Sequence, residues 1–186
     1  MKVIAGEFKR RNLHTLKGMN TRPTTARNKE NIFNVIGPYF DGGVSLDMFG
    51  GSGSLTIESI SRGIEKGVII DNHHEAIKVI KMNVEMLKIE DRVQVIKNDY
   101  MSGMNLLAQE GIQFDLILID PPFSMLVVDE IIEFIDKNNM LKDDGIIMAE
   151  YFKDNKFDQE FENIYCYRFL DYGTSHIKLY TKGDNK

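Results

Sequence analysis

From Val44 onward, short apolar runs alternate with longer stretches in which apolar residues recur every three or four positions. The runs at 44–48, 66–71, 93–96, 114–119, 146–149, 164–169 and 176–180 read as seven strands. Between them, residues 54–62, 102–109 and 127–136 read as helices, and Ala76, Ile77, Val79, Ile80, Val84 and Leu87 mark a further helix with a strong buried face. Such alternation implies crossover units and a mostly parallel sheet covered on both faces, an α/β fold. Only Leu170 to Ser175 separate the last two strands, which are therefore expected to form an antiparallel hairpin at one sheet edge. A turn is expected at Asp143-Asp144-Gly145.

The first forty residues follow a different rhythm. Lys2 to Ala5 and Asn12 to Leu16 read as a small hairpin around Gly6, and residues 18–24 as a link. A helix is expected from about Thr25 to Ile36, with Thr24 or Thr25 as its cap and Ile32, Phe33 and Ile36 as its docking stripe. The chain thus divides into an N-terminal extension, 1–40, and a main domain, 41–183.

Charge sharpens that division. The net charge of -5 argues against a protein that coats nucleic acid without selectivity. Residues 1–40 nevertheless carry eight Lys/Arg against two acids, a balance of +6, and the rest carries -11. A basic extension on an acidic body presents one face to phosphate. Lys9, Arg10, Arg11, Arg22, Thr24 and Arg27 are the candidate nucleic-acid contacts, with a solvated loop as the plainer account of the Lys9-Arg10-Arg11 cluster. The lone Cys166 excludes an internal disulfide framework, and four scattered histidines give no metal site. Neither a signal peptide nor an apolar run near eighteen residues is evident, so a cytoplasmic protein is expected.

Two stretches carry the candidate chemistry. In Val44 to Gly53 an apolar run ends in Asp47 and breaks into a glycine-rich turn before a helix, placing Phe49, Gly50, Gly51, Ser52 and Gly53 where backbone can approach a ligand. In Phe114 to Phe123 another run delivers Asp120 and is stopped by Pro121 and Pro122, with Phe123 after them. Both acids would lie at one rim of a parallel sheet. Asp71 lies twenty residues after Gly51, a spacing suited to ribose hydroxyls, and Asn72 with Glu75 forms a plausible cap pair for the next helix. Asp99, before Tyr100, follows a third strand and could accept from an adenine amine or cap the following helix. His73 and His74 read as helix-start residues, and Asn83 as a polar residue on an apolar face that could hold a loop.

Asp47 before the turn would repel a pyrophosphate but favour a cationic amino group. A ligand with an amino-acid end, a ribose and an adenine matches Asp47, Asp71 and Asp99 in order, and S-adenosyl-L-methionine fits that description. Asp-Pro-Pro-Phe suits an exocyclic base amine, whose lone pair is delocalised. Asp120 can accept one amine hydrogen and the Pro121 carbonyl the other, while Phe123 stacks on the base.

Leu46 to Gly53 together with Asp120 to Phe123 resembles the amino-methylating class of S-adenosylmethionine-dependent enzymes. Thr21 to Asn34 resembles the N-terminal segment of one branch, the bacterial 16S rRNA guanine-N2 methyltransferases that modify guanine 966. The similarity covers nearly the whole chain, including the basic hairpin, Ser61-Arg62-Gly63 and Tyr172-Gly173. It implies a monomeric Rossmann-like class I methyltransferase with a small N-terminal extension, acting on the small ribosomal subunit or its assembly intermediate. It places Asp120, Pro121 and Phe123 at the guanine, Asp47, Gly51 and Gly53 at the methionine end, Asp71 at the ribose and Asp99 at the adenine. Four positions depart from the pattern. Gly50 stands where alanine is common, which would loosen the turn, and Asp71 where glutamate is usual; His73 replaces an aspartate and Ala26 an acid. Methylation of another base amine, such as adenine N6, or a non-catalytic assembly role are the other readings of the same residues.

Overall fold

The structure, a computed structural model, describes residues 1–16, 26–122, 125–152, 159–173 and 175–183. Twelve elements follow in the order α1 Ala26–Ile36, β1 Val44–Asp47, α2 Ser54–Ser61, β2 Lys66–Asp71, α3 His74–Leu87, β3 Val93–Lys97, α4 Tyr100–Gln109, β4 Phe114–Ile119, α5 Val128–Lys137, β5 Leu141–Phe152, β6 Ile164–Asp171 and β7 Ser175–Lys182. The strands form one seven-stranded sheet in the order β3-β2-β1-β4-β5-β7-β6. The first five pair in parallel, whereas β7 runs antiparallel to both β5 and β6. The expected sheet and its edge hairpin are both present.

One elongated core covers each face. On one side, Leu46, Val68, Ile70, Ile117 and Ile119 meet Met104 and Leu107 of α4 and Ile131, Ile132 and Ile135 of α5. On the other, Ile69, Leu116, Leu118 and Met148 meet Leu55, Ile57 and Ile60 of α2 and Ile80, Val84 and Leu87 of α3. This second core does not end at the helices. Val3, Phe8 and Leu13 of the N-terminal arm and Ile32, Phe33 and Ile36 of α1 belong to it. Every residue of α2 is consequently buried, with the sheet on one side and the arm and α1 on the other.

A buried carboxylate joins these parts. Glu58 of α2 accepts from the amides of Ile4 at 2.9 Å and Ala5 at 3.0 Å, from Lys29 Nζ at 3.2 Å and from Arg62 Nε at 2.9 Å. The Glu58 and Lys29 side chains are wholly inaccessible, and Arg62 is nearly so. Burial holds the Lys29 ammonium below its ordinary pKa, against the opposing attraction of Glu58. Lys29 also donates to the carbonyl of Lys2, while Arg62 donates to that of Pro38 and lies over the Phe33 ring.

The arm folds back as the expected hairpin, but in a minimal form. Among the described residues its one bridge pairs Lys2 antiparallel with Asn12, closed by ladder bonds from Val3 N to Arg11 O at 3.0 Å and from Leu13 N to Met1 O at 2.7 Å. The ladder goes no further because Glu58 takes the Ala5 amide that would continue it; the Ile4 amide also goes to Glu58, and that of His14 to Asn83. Gly6 permits the close approach. Its φ is +78°, and a Cβ there would lie 1.6 Å from the Ser61 carbonyl oxygen, which accepts from Glu7 N. Ser61 Oγ accepts from Phe8 N and donates to Ala5 O. The Ser61-Arg62-Gly63 motif thereby acquires a mechanical role, since Gly63 lets the Phe40 carbonyl pack at a distance no side chain would allow.

Two further expectations change. Asp143-Asp144-Gly145 does not form a separate turn; it lies inside β5 as an irregularity, with Leu141 opposite Phe114 and Ile146 opposite Leu116. Asn72 does not cap α3 either, because the N-cap is His73, and the Asp71 carboxylate already takes the His73 amide at 2.8 Å. Glu75 is drawn to Lys78, also at 2.8 Å, instead of reaching back.

Replacing Glu58 by alanine leaves two buried cations and two arm amides without their acceptor. Urea unfolding of Glu58→Ala is expected to show a loss of about 3–5 kcal/mol. A loss below about 1 kcal/mol would contradict the hub.

Candidate cofactor and base-amine rim

Parallel register decides where the four acids stand. Asp47 lies level with Ile69 on β2, which is level with Val95 on β3, and level with Leu118 on β4. Asp71 and Asp120 are therefore each two residues beyond that level toward the carboxyl rim, and Asp99 is four beyond it. With strands about 4.8 Å apart, the rim presents Asp99, Asp71, Asp47 and Asp120 in spatial order from β3 to β4. Sequence order alone does not contain this arrangement; the placement of β1 between β2 and β4 creates it.

The glycine turn is fastened from both sides. Gly50 N donates to Ile70 O at 3.0 Å, and Gly51 N donates to Asp71 Oδ2 at 2.8 Å. Asp71 thus holds the turn with one oxygen and the start of α3 with the other. A carboxylate offers about four acceptor positions, so these two bonds leave capacity for ligand hydroxyls. Gly51 has φ +55°, and a Cβ there would face open space, its nearest neighbour being Phe49 O at 3.9 Å. That is the form of a backbone cradle.

Gly50 is different. A Cβ there would come within 2.3 Å of Ile69 Cγ2 and 3.0 Å of Ile80 Cδ1. The turn is not loosened by this glycine, as the sequence suggested, because the two isoleucines fill the space.

Asp47 is enclosed, with 1% of its surface accessible. Its oxygens accept from Phe49 N at 3.3 Å and Thr56 Oγ1 at 3.2 Å. Burial pushes its pKa up to about 7, a rise the two hydrogen bonds oppose and nearby Asp71 adds to. Asp99 is exposed and is the N-cap of α4, accepting from Ser102 N at 2.9 Å. That bond holds its carboxyl below the ordinary range. The capping alternative is thus realised, and the second carboxylate oxygen remains at the rim. Phe49 packs on Tyr100 with ring centroids 5.5 Å apart, bracing the glycine turn against α4. Burial foremost, then the charge of Glu130, pushes the Tyr100 phenol up.

Ser52 is half-buried and Asn72 exposed on the same rim. At the end of β4, Asp120 is half-buried, Pro121 buried and Pro122 exposed, with the Pro122 carbonyl accepting from Met125 N at 2.9 Å. Phe123, Arg22 and Thr24 lie outside the described residues, as does the side chain of Arg27. Lys9, Arg10 and Arg11 are exposed together on the arm, Arg10 with φ +72°. Lys29 subtracts one charge from the basic surface, since it is spent inside the core.

Several contributors escaped sequence reasoning. Thr56, nine residues after Asp47, carries no motif signal. The Glu58-Arg62 pair has a legible i,i+4 spacing, but nothing showed that it points inward. Tyr151 of β5 donates to Asp129 of α5 at 2.8 Å and meets Tyr180 of β7 at 2.7 Å, tying the start of α5 to the sheet.

This strand order, with one antiparallel strand near the edge, a glycine turn after β1 and an acid followed by paired prolines after β4, defines the class I methyltransferase fold. The chain belongs to the family described as conserved hypothetical protein 95, which matches residues 1–181. It is 38% identical over 182 residues to YlbH of Bacillus subtilis, named as a candidate rRNA methyltransferase, covering 98% of this chain and 99% of the relative. It is 33% identical over 156 residues to the ribosomal RNA small subunit methyltransferase D of Haemophilus influenzae, covering 83% and 80%. Among solved structures, yhhF of Escherichia coli, named as a candidate methyltransferase, superposes with a TM-score of 0.85 at 28% identity, covering 98% of this chain and 97% of that one. No helix among the described residues is long and apolar enough to cross a membrane.

The pKa of Asp47 gives a pH signature. Its folded value of about 7 lies above the unfolded carboxylate value near ~4, so the folded state holds the extra proton between them. Stability is therefore expected to fall as pH rises from about 4 to about 7 and to level off above. Asp47→Asn should flatten that slope in pH-resolved urea titrations. An unaltered slope would place the titration elsewhere.

Proposed function

We propose that this protein transfers a methyl group from S-adenosyl-L-methionine to the exocyclic N2 amine of a guanine in 16S rRNA, guanine 966 by resemblance. The observation that carries this reading is the stagger of Asp99, Asp71, Asp47 and Asp120 across four neighbouring strands. Three neighbouring acids match an adenine, a ribose and an amino-acid end, and the fourth adjoins the third. The similarity to rRNA methyltransferases supports the RNA substrate.

The chain's residues divide the work. Asp99 with Tyr100 would receive the adenine end, and Asp71 with Asn72 the ribose hydroxyls. The turn from Phe49 to Gly53 would receive the amino-acid end. Asp47 acts there through the field of its enclosed carboxylate, which a bound cationic amino group would return to the ionised form. When bound, the cofactor supplies an electrophilic methyl group on a sulfonium.

Asp120 accepts one hydrogen of the guanine amine and the Pro121 carbonyl the other, which draws the nitrogen toward tetrahedral geometry and aims its lone pair. As the new N–C bond forms and the methyl–sulfur bond breaks, its electron pair staying on what becomes a neutral thioether, the amine becomes acidic, and Asp120 would receive the released proton before passing it to solvent. Pro121 and Pro122 restrict the backbone that carries the accepting carbonyl. Phe123 would stack on the base. The contribution is positioning and charge placement more than strong base catalysis.

Lys9, Arg10 and Arg11, with Arg22, Thr24 and Arg27, would contact phosphate of the small subunit or its assembly intermediate, with the protein acting as a cytoplasmic monomer. Residues 1–40 would then be the RNA-contacting extension and 41–183 the catalytic domain. A left-handed conformation at Arg10 is unusual for a side-chain-bearing residue, and it places three cations consecutively on an exposed loop.

Transfer of label from S-adenosylmethionine to undermethylated small subunits, followed by mass mapping, tests the assignment; absence of label at the guanine would refute it. Asp120→Ala should lower kcat by at least about a hundredfold while leaving cofactor affinity within about twofold. Asp71→Ala should mainly weaken the cofactor. Replacing Arg10 and Arg11 with alanine should raise the RNA KM and lower the slope of log KM against log salt by up to about 2. An unchanged slope would remove the arm from the interface.

A further inference from the structure

Asn83 of α3 is fully buried and lies outside the row of acids at the rim. Its side-chain amide makes three hydrogen bonds. Oδ1 accepts from His14 N at 2.7 Å, while Nδ2 donates to His14 O at 3.1 Å and to Ser52 O at 2.9 Å. Only this orientation of the amide satisfies all three backbone groups, because a reversed one would oppose nitrogen to an N–H and oxygen to two carbonyls. Asn83 imitates a strand toward the arm and simultaneously grips the glycine turn.

The two gripped segments are the ones on which both substrates would bear. Ser52 sits between Gly51, whose amide is held by Asp71, and Gly53, the left-handed N-cap of α2. His14 continues the arm that exposes Lys9, Arg10 and Arg11. Within these bonds a single side chain separates the two backbones. An adjustment of the Ser52 peptide on cofactor binding must therefore either carry Asn83 with it or break a buried hydrogen bond, and the second course is costly.

We propose that Asn83 is a positioning residue that couples occupancy of the glycine turn to order in the N-terminal arm, so that bound cofactor stiffens the segment presented to RNA. This rests on the cofactor reading of the rim. The coupling is reciprocal: whatever orders the arm at His14 also favours the binding form of the turn. Asn83 touches no reacting atom and acts through Ser52.

The test uses the full chain and S-adenosylhomocysteine as the probe. Calorimetry first establishes binding to the unaltered protein, and amide hydrogen exchange is then followed over residues 9–16 and 48–54 with and without the probe. The expected result is slowed exchange in both segments. In Asn83→Ala and in Asn83→Asp, the probe should still protect 48–54 but leave the exchange of 9–16 unchanged, and its Kd should rise about tenfold. Aspartate keeps the volume and the acceptor for His14 N while losing both donated bonds.

A residue that merely stabilised the fold would raise exchange of 9–16 equally with and without the probe, preserving their ratio, so a ratio in both variants equal to that of the unaltered protein overturns the proposal. Protection confined to 48–54 in the unaltered protein overturns it as well, with the cofactor reading intact. Failure of the probe to bind the unaltered protein overturns both.

Discussion

The carboxylate of Glu58 accepts four donors with no access to water, and the arrangement of the N-terminal third depends on it. An isolated buried charge is expensive enough to prevent folding, but here two cations and two backbone amides converge on it from separate segments. The consequence is geometric more than energetic. An apolar contact would let the arm slide on α2, whereas Glu58 fixes Ile4, Ala5, Lys29 and Arg62 at one point. The extension therefore serves as the outer wall of α2 and shares a core with the sheet.

From that fixed point the chain reaches the rim by two routes. One runs through α2 itself, whose first turn supplies Thr56 to Asp47 and whose N-cap closes the glycine turn. The other runs along the arm to His14, then through Asn83 to Ser52. The glycine turn is accordingly built on a frame that includes the basic segment. Its far side is closed by Asp71 and by the Phe49–Tyr100 contact with α4.

Much of this was legible in the residues because period and punctuation agree. Short apolar strands, four of which have Asp47, Asp71, Asp99 or Asp120 at or just past their ends, gave the alternation, the edge hairpin and the row of carboxylates. What the pattern could not express was competition for backbone hydrogen bonds. Lys2 to Ala5 has strand composition and folds back antiparallel on Asn12, yet the amides of Ile4 and Ala5 go to Glu58, so the hairpin stops at one bridge. Asn72 has cap chemistry, but the Asp71 carboxylate reaches His73 first. Asp143-Asp144-Gly145 has turn composition and is absorbed by β5 as an irregularity because strand pairing resumes beyond it. Lys29 counted toward a basic surface until its burial removed it. Asn83 was visible as a polar intruder on an apolar face, though not the two segments it would join.

Gly50 carries a further implication. Because Ile69 Cγ2 and Ile80 Cδ1 already occupy the volume a methyl group would need, alanine at this position is conditional on the branched neighbours. Alanine here requires Ile69 to shift or to be trimmed, which couples the two positions. Exchanging this glycine alone would therefore pass through a strained turn that trimming Ile69 relieves.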